Sequence, residues 1–265
     1  MGVDYIIGYG CVPKEVFTSR GLLERAKAGE RARTITEFYQ IHGDDRPPEK
    51  MGFEMVYRNA EGEQETQLVQ LDELIAKRAE LNDYEHHCKG CPANRTGEPF
   101  GCIGTINYPI SQQAEVWLLE QLPSPDDPLA FLLLKQGPEM GNTGQRAEGL
   151  RDDHPGVFFE SATTLTRSFP EMNVTGEQLF ELFFLLGDIQ PKRAVMILLF
   201  MGAFTRQLEA DELMQMTPAD SDSAEKYPFL LKHGVKDDES IHDLIEFFRA
   251  LHIAFVLDRD LLLDV

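Results

Sequence analysis

Three of the four cysteines in this chain fall within fifteen residues, in the segment His86-His87-Cys88-Lys89-Gly90-Cys91-Pro92-Ala93-Asn94 that continues to Phe100-Gly101-Cys102-Ile103-Gly104. A Cys-x-x-Cys turn sets two thiolates on one side of the chain, at the separation a tetrahedral ion requires. Gly90 permits the tight turn, and Gly101 and Gly104 let the backbone fold closely around Cys102. With one imidazole added, Cys88, Cys91, Cys102 and His87 (or His86) form a Cys3His set suited to structural zinc. Such a site would pin a connection that packing alone holds weakly. Apart from Cys91, the stretch Lys89–Gly101 offers only Ala93 and Phe100 to a core.

Three other readings use the same residues. A redox dithiol belongs at a helix N-terminus, where the dipole lowers the thiol pKa. Here the expected helix precedes the pair, so the dipole suits a bound cation instead. An iron–sulfur cluster calls for four cysteines and would recruit Cys11 beside Cys88, Cys91 and Cys102. Reduced cysteines can also serve as small hydrophobes in a core. Ligand type and spacing favour zinc.

Charge narrows the partners. The chain carries 25 basic against 45 acidic side chains, a net charge of −20. Residues 1–100 hold 18 acids and 13 bases, and residues 101–265 hold 27 and 12. That excess disfavours nucleic acid, which needs a basic patch to displace phosphate counterions, and also an anionic membrane surface. A protein partner fits better. The longest apolar run, Ala194–Phe204, has eleven residues against the ~20 that span a bilayer. Met1–Cys11 has no basic n-region and its apolar stretch is broken by Asp4 and glycines. Four cysteines in 265 residues are too few for a disulfide scaffold. These features point to a cytoplasmic protein, in which the triplets Asn94-Arg95-Thr96 and Asn173-Val174-Thr175 carry no glycosylation meaning.

Patterning predicts an α+β fold: an N-terminal antiparallel sheet with helices, the Cys-rich metal-binding connection, and a mainly helical C-terminal half. The expected division is 1–110 and 111–265, or one continuous domain. Val3–Ile7 reads as a buried strand and Pro13–Gly29 as a helix. Thr34–Ile41, rich in β-branched and aromatic residues, reads as a strand. Met51, Phe53, Met55 and Tyr57 alternate with polar neighbours, and Asn59–Glu63 would turn them into a second strand, Glu65–Gln70. From Leu71 the period becomes helical up to His86-His87-Cys88. Ile103–Tyr108 reads as a strand, Ser111 as the start of a helix ending before Pro123, and Asp126–Gln136 as a helix capped by Gly137. Gly137–Gly156 lacks periodicity and reads as a flexible loop, and Val157–Phe169 as a return to strand. Thr175 with Gln178 makes a capping box opening an apolar helix that Gly187 ends. Pro191 opens a buried helix, Asp220–Ser223 is a loop, and Ile241–Phe255 is amphipathic.

Weaker constellations complete the inventory. Gly137–Arg146 lacks the Gly-Lys-Ser/Thr ending of a phosphate loop. Asp152, Asp153 and His154 offer the materials of a hydrolytic or acid–base site, though adjacent residues seldom converge on one centre. Arg20, Lys27 and Arg31 interleave with Glu24 and Glu30 and read as a salt-bridged surface. His252 and Leu179–Leu186 read as core. No Gly-x-Ser-x-Gly elbow, His-Glu-x-x-His pair or dinucleotide fingerprint is present. The leading expectation is a zinc-stabilised interaction or accessory protein; the alternatives are a hydrolytic enzyme near Gly137–Gly156 and an iron–sulfur protein. Repulsion of phosphate by the acidic half predicts no shift of duplex DNA in a gel at physiological salt, and tight, salt-sensitive binding would refute it.

Overall fold

The computed structural model describes residues 2–44, 46–58, 64–137, 142–216 and 223–264. In chain order its elements are β1 (Gly2–Ile7), α1 (Val12–Ile41), β2 (Gly52–Arg58), β3 (Gln64–Gln70), α2 (Leu71–Ala79), β4 (Ile103–Asn107), α3 (Gln112–Gln121), α4 (Pro128–Gln136) and α5 (Gln145–Asp153). There follow β5 (Thr166–Ser168), β6 (Asn173–Thr175), α6 (Gly176–Phe180), α7 (Pro191–Phe200), α8 (Ala210–Gln215), α9 (Ser223–Lys226), α10 (Glu239–Val256) and β7 (Leu261–Asp264). The class is mixed α+β with small antiparallel sheets. Among the described residues, no helix is long and apolar enough to cross a membrane. Contacts divide the chain into two compact units, Met1–Tyr9 with Cys91–Val265, and Gly10–Gly90.

Gly10–Gly90 is built on the hairpin β2–β3, paired from Gly52 with Gln70 to Arg58 with Gln64. The turn Asn59–Glu63 lies outside the described residues. Contrary to the strand expected there, Thr34–Ile41 is helical. Ala28, Ala32, Ile35 and Tyr39 recur at helical spacing and pack with Met51, Phe53, Val69, Leu71 and Leu74, and this burial outweighs β propensity. Thr34 and Thr36 hydroxyls donate to the Glu30 and Ala32 carbonyls, four residues back, at 3.0 and 2.7 Å. Gly29 does not end the helix; a Cβ there would run into the Arg78 side chain, so it is a packing glycine between α1 and α2. The helix breaks instead at Thr18, where φ is +64°, and the Thr18 hydroxyl recaps the chain by accepting from Gly21 N–H at 3.2 Å. α2 stops at Ala79 rather than reaching the histidines, and Asn82–Cys88 is a 3-10 stretch. Asn82 and Asp83 fall at the break, and both types compete with helical hydrogen bonds.

In the larger unit the sheet order is β4-β1-β7, all antiparallel. β1 is the middle strand, buried from Val3 to Ile7. Its outer partner comes from the far end of the chain, so the sheet is not purely N-terminal. α10 buries ten side chains, including Phe247, Phe248, Leu251 and Phe255. The N-termini of α3 and α10 are locked together: Ser111 accepts from Ala114 N–H and donates to Asp238, which also accepts from Ile241 N–H. The Thr175–Gln178 capping box forms, Gly187 takes φ +78°, and Pro191 opens α7. Of Val157–Phe169 only Thr166–Ser168 is strand, paired with β6, while Phe159 bridges Ile110. Residues 138–141 and 220–222 lie outside the described residues, and Ser223 opens α9.

Within the expected loop Gly137–Gly156 the chain forms α5, for an electrostatic reason. Arg151 is 4% exposed and lies between two buried carboxylates, Glu115 and Glu177. Its guanidinium also donates to the Ser161 carbonyl and sits 3.8 Å from the Phe159 ring centroid. A charge taken out of water needs such matching. Burial pushes the Glu115 carboxyl above its usual range, against the pull of Arg151.

His252 is a core residue of α10, as its stripe implied. Its Nε2–H donates to the Tyr227 carbonyl at 2.7 Å, since a carbonyl can only accept. Burial holds its pKa below the ordinary 6.5, partly offset by that carbonyl. The unfolded chain therefore takes up the proton first. The contribution of neutral His252 is present above the ordinary value and is lost as pH falls through the folded one. His252→Gln, which keeps a donor, should flatten the decline in unfolding free energy as pH falls below the ordinary 6.5. A slope in denaturant titrations identical to that of the parent protein would rule this out.

Candidate metal centre

Cys102 sits at the mouth of β4, where β1 fixes it: Ile6 pairs with Ile103, and Ile7 N–H donates to the Cys102 carbonyl at 3.1 Å. The thiol residue is buried. Ahead of it the chain doubles back. Asn94 N–H bonds Cys91 O at 3.0 Å, Arg95 N–H bonds Gly101 O at 3.2 Å, and Gly101 N–H bonds Glu98 O at 3.1 Å. The Asn94 side chain ties the turn from within. Its Oδ1 accepts from Thr96 and Gly97 N–H at 3.3 and 3.0 Å, and its Nδ2 donates to Glu98 O at 2.9 Å. A Cβ at position 101 would collide with the Asn94 and Thr96 side chains. Ala93 and Phe100, the two apolar residues noted in the sequence, are both buried. Phe100 has φ +60°, a region bulky residues enter only when their surroundings force it.

Arg95 joins this loop to α10. Its Nη2 donates to Ile103 O at 2.8 Å and its Nη1 meets Glu246 Oε2 at 2.7 Å, with the side chain only 9% exposed. The guanidinium lies 5.6 Å from the Tyr5 ring centroid. Glu246 also meets His233 Nε2 at 3.2 Å and Arg249 Nε at 3.3 Å. Burial works against its charge, but the His233 bond and the two guanidinium groups together hold its carboxyl below the usual range. Burial pushes the Tyr5 phenol up, with Arg95 pulling the other way. One turn earlier, Asp243 accepts from Asn107 N–H and Nδ2, both at 3.0 Å, and burial raises its pKa.

The unit boundary falls between Gly90 and Cys91, so the expected ligands divide: His86, His87 and Cys88 belong to one unit, Cys91 and Cys102 to the other. The His86 and His87 rings lie 3.9 Å apart, and Tyr84, 6.4 Å from His87, packs edge-on to Phe17 at 5.0 Å. Cys11 precedes α1 and, like Cys88 and Cys91, is half-buried. Among the described residues, no three of His, Cys, Asp or Glu are gathered as a metal ion requires. The metal-binding connection expected in the fold is thus not seen assembled.

Asp152, Asp153 and His154 stand at the end of α5, with both aspartates exposed. The His154 ring faces Phe158 at 5.9 Å, and the side chain that α5 turns inward here is Arg151. Sequence reasoning missed Glu115 and Glu177 as its partners, and Arg95 as the loop's anchor. A Glu in the first turn of a helix is ordinary, and a lone Arg in a glycine-rich segment has no spacing to mark it.

Compared with protein-family models, curated proteins and solved structures, the chain matches none. Its reading rests on its own residues. Gly104 offers a direct check of the loop's packing, because a Cβ there would press into both the Tyr5 ring and the Arg95 guanidinium. Gly104→Ala should destabilise the protein by about 1–3 kcal/mol, read from its thermal melt, as overpacked sites do. An unchanged melting temperature would mean that this contact is slack.

Proposed function

We propose that the chain is a zinc-binding protein in which Cys88, Cys91, Cys102 and His87 (or His86) hold one ion, and that it acts as an interaction or accessory protein. The supporting observation is the loop 91–102, whose hydrogen bonds hold the backbone at both Cys91 and Cys102. The donor set fits the metal: thiolate and imidazole suit zinc, and a fourth protein ligand closes the site against catalysis. The acidic excess of residues 101–265 favours a basic protein partner.

A second reading, an iron–sulfur cluster on Cys11, Cys88, Cys91 and Cys102, rests on the donor count alone, four thiolates being what such a cluster requires. A hydrolytic site at Asp152, Asp153 and His154 has no such support.

Elemental analysis of purified protein should find about one zinc per chain in a colourless sample. Brown protein absorbing at about 400 nm would transfer the assignment to iron–sulfur. Cys91→Ser or Cys102→Ser should lower metal content and melting temperature together, because ligation contributes folding free energy directly. Metal lost without any change in melting would falsify the structural role.

A further inference from the structure

Arg95 bonds the chain on both sides of Cys102. Its main-chain N–H donates to Gly101 O at 3.2 Å and its guanidinium to Ile103 O at 2.8 Å. These carbonyls belong to the residues immediately before and after the cysteine. The carbonyl of Cys102 itself accepts from Ile7 N–H of β1. The guanidinium is itself immobilised, with Glu246 at 2.7 Å, the Tyr5 ring beside it and a glycine at position 104 to make room. A nearly buried arginine whose donors run to a carbonyl and a carboxylate has little rotamer freedom left. Asn94 acts separately: its main-chain N–H bonds the Cys91 carbonyl, and its side chain ties the turn Thr96–Glu98.

We infer that Arg95 is the positioning residue of Cys102: its clamp on Gly101 and Ile103, anchored to α10 through Glu246, presents that thiol in one fixed pose before any metal arrives. The inference rests on the reading of Cys91 and Cys102 as ligands, but its test does not. A side chain that merely filled space would affect all nearby cysteines alike. A clamp on residues 101 and 103 acts on Cys102, while the Asn94 side chain acts on the turn 96–98.

The test is site-resolved alkylation of the full-length protein by iodoacetamide, after treatment with a chelator, with each cysteine followed by peptide mass spectrometry. In Arg95→Gln, Cys102 should react about tenfold faster, the loss of one charge-assisted hydrogen bond and its ion pair, while Cys11 keeps its parental rate. Arg95→Lys, which keeps the charge and a donor, should restore part of the protection. Asn94→Ala, which loosens the turn Thr96–Glu98 but leaves the Arg95 clamp in place, should accelerate Cys102 less than Arg95→Gln does. If Arg95→Gln does not fold, Arg95→Lys and Glu246→Gln decide the matter by the same ratio. No selective rise at Cys102 in a folded variant, or an equal rise at all four cysteines, overturns the inference. Metal content of the untreated parent protein is measured alongside. Protein without metal, but with the Cys102-selective response, would sink the zinc reading and leave the clamp standing.

Discussion

Burial of α10 is the constraint around which the larger unit is arranged. Its phenylalanines stack edge-on with Tyr5 of β1 and Phe183 of the turn after α6, with ring centroids 5.4 and 5.5 Å apart. An eighteen-residue helix with ten buried side chains needs partners on most of its circumference. β1, β4 and β7 supply one side and α7 and α3 the others. Its remaining polar edge is used for attachment. Asp238 fastens the start of α3, Asp243 fastens the end of β4, and Glu246 fastens Arg95. One helix with its cap therefore supplies the apolar axis of the unit and anchors the start of α3, the end of β4 and, through Arg95, the loop that leads to Cys102.

Charges inside the unit follow a complementary rule. Arg151 is matched by Glu115 and Glu177, Arg167 caps the carbonyls of Leu119, Glu120 and Leu122, and Arg193 caps those of Leu182, Leu186 and Gly187. Each guanidinium closes a helix end or a pair of carboxylates that would otherwise be left unsatisfied as water is excluded. Replacing such a network with apolar side chains can leave stability unchanged, whereas removing one member leaves a buried charge alone. The Arg151 pairs tie α5 to α3 through Glu115 and to α6 through Glu177.

This explains what could be read from the sequence and what could not. Segments whose inward residues are apolar and regularly spaced were legible: β1, the hairpin β2–β3, α3 from its Ser111 cap, the Thr175–Gln178 box and α10. Segments whose inward residues are polar were not. α5 looked like a loop because the side chain it turns inward beside Ala147 is an arginine, invisible to a hydrophobic period. Thr34–Ile41 failed in the opposite sense, since local β propensity gave way to a helical stripe shared with α2 and the hairpin. The thiol segment was legible in composition only. Its three cysteines stood out, but the residues that order it, Asn94 and Arg95, looked like ordinary loop polarity.

That contrast bears on how a thiol loop can be ordered at all. Between Cys91 and Cys102 there is too little apolar surface for packing to select a conformation. Backbone carbonyls are bonded instead by one asparagine and one arginine, and glycine stands at positions 101 and 104, where any side chain would displace them. Hydrogen bonds at a partly solvated loop each stabilise only modestly, about 0.5–1.5 kcal/mol net. Their geometric effect is larger, because two donors aimed at fixed carbonyls leave the intervening residue little backbone freedom. A ligand set held in this way loses less conformational entropy on binding than a flexible one does. Where a metal is the occupant, the polar clamp and the ion would then act in series, the clamp setting where the thiols stand and the ion adding the free energy that the small apolar contacts of the loop do not provide.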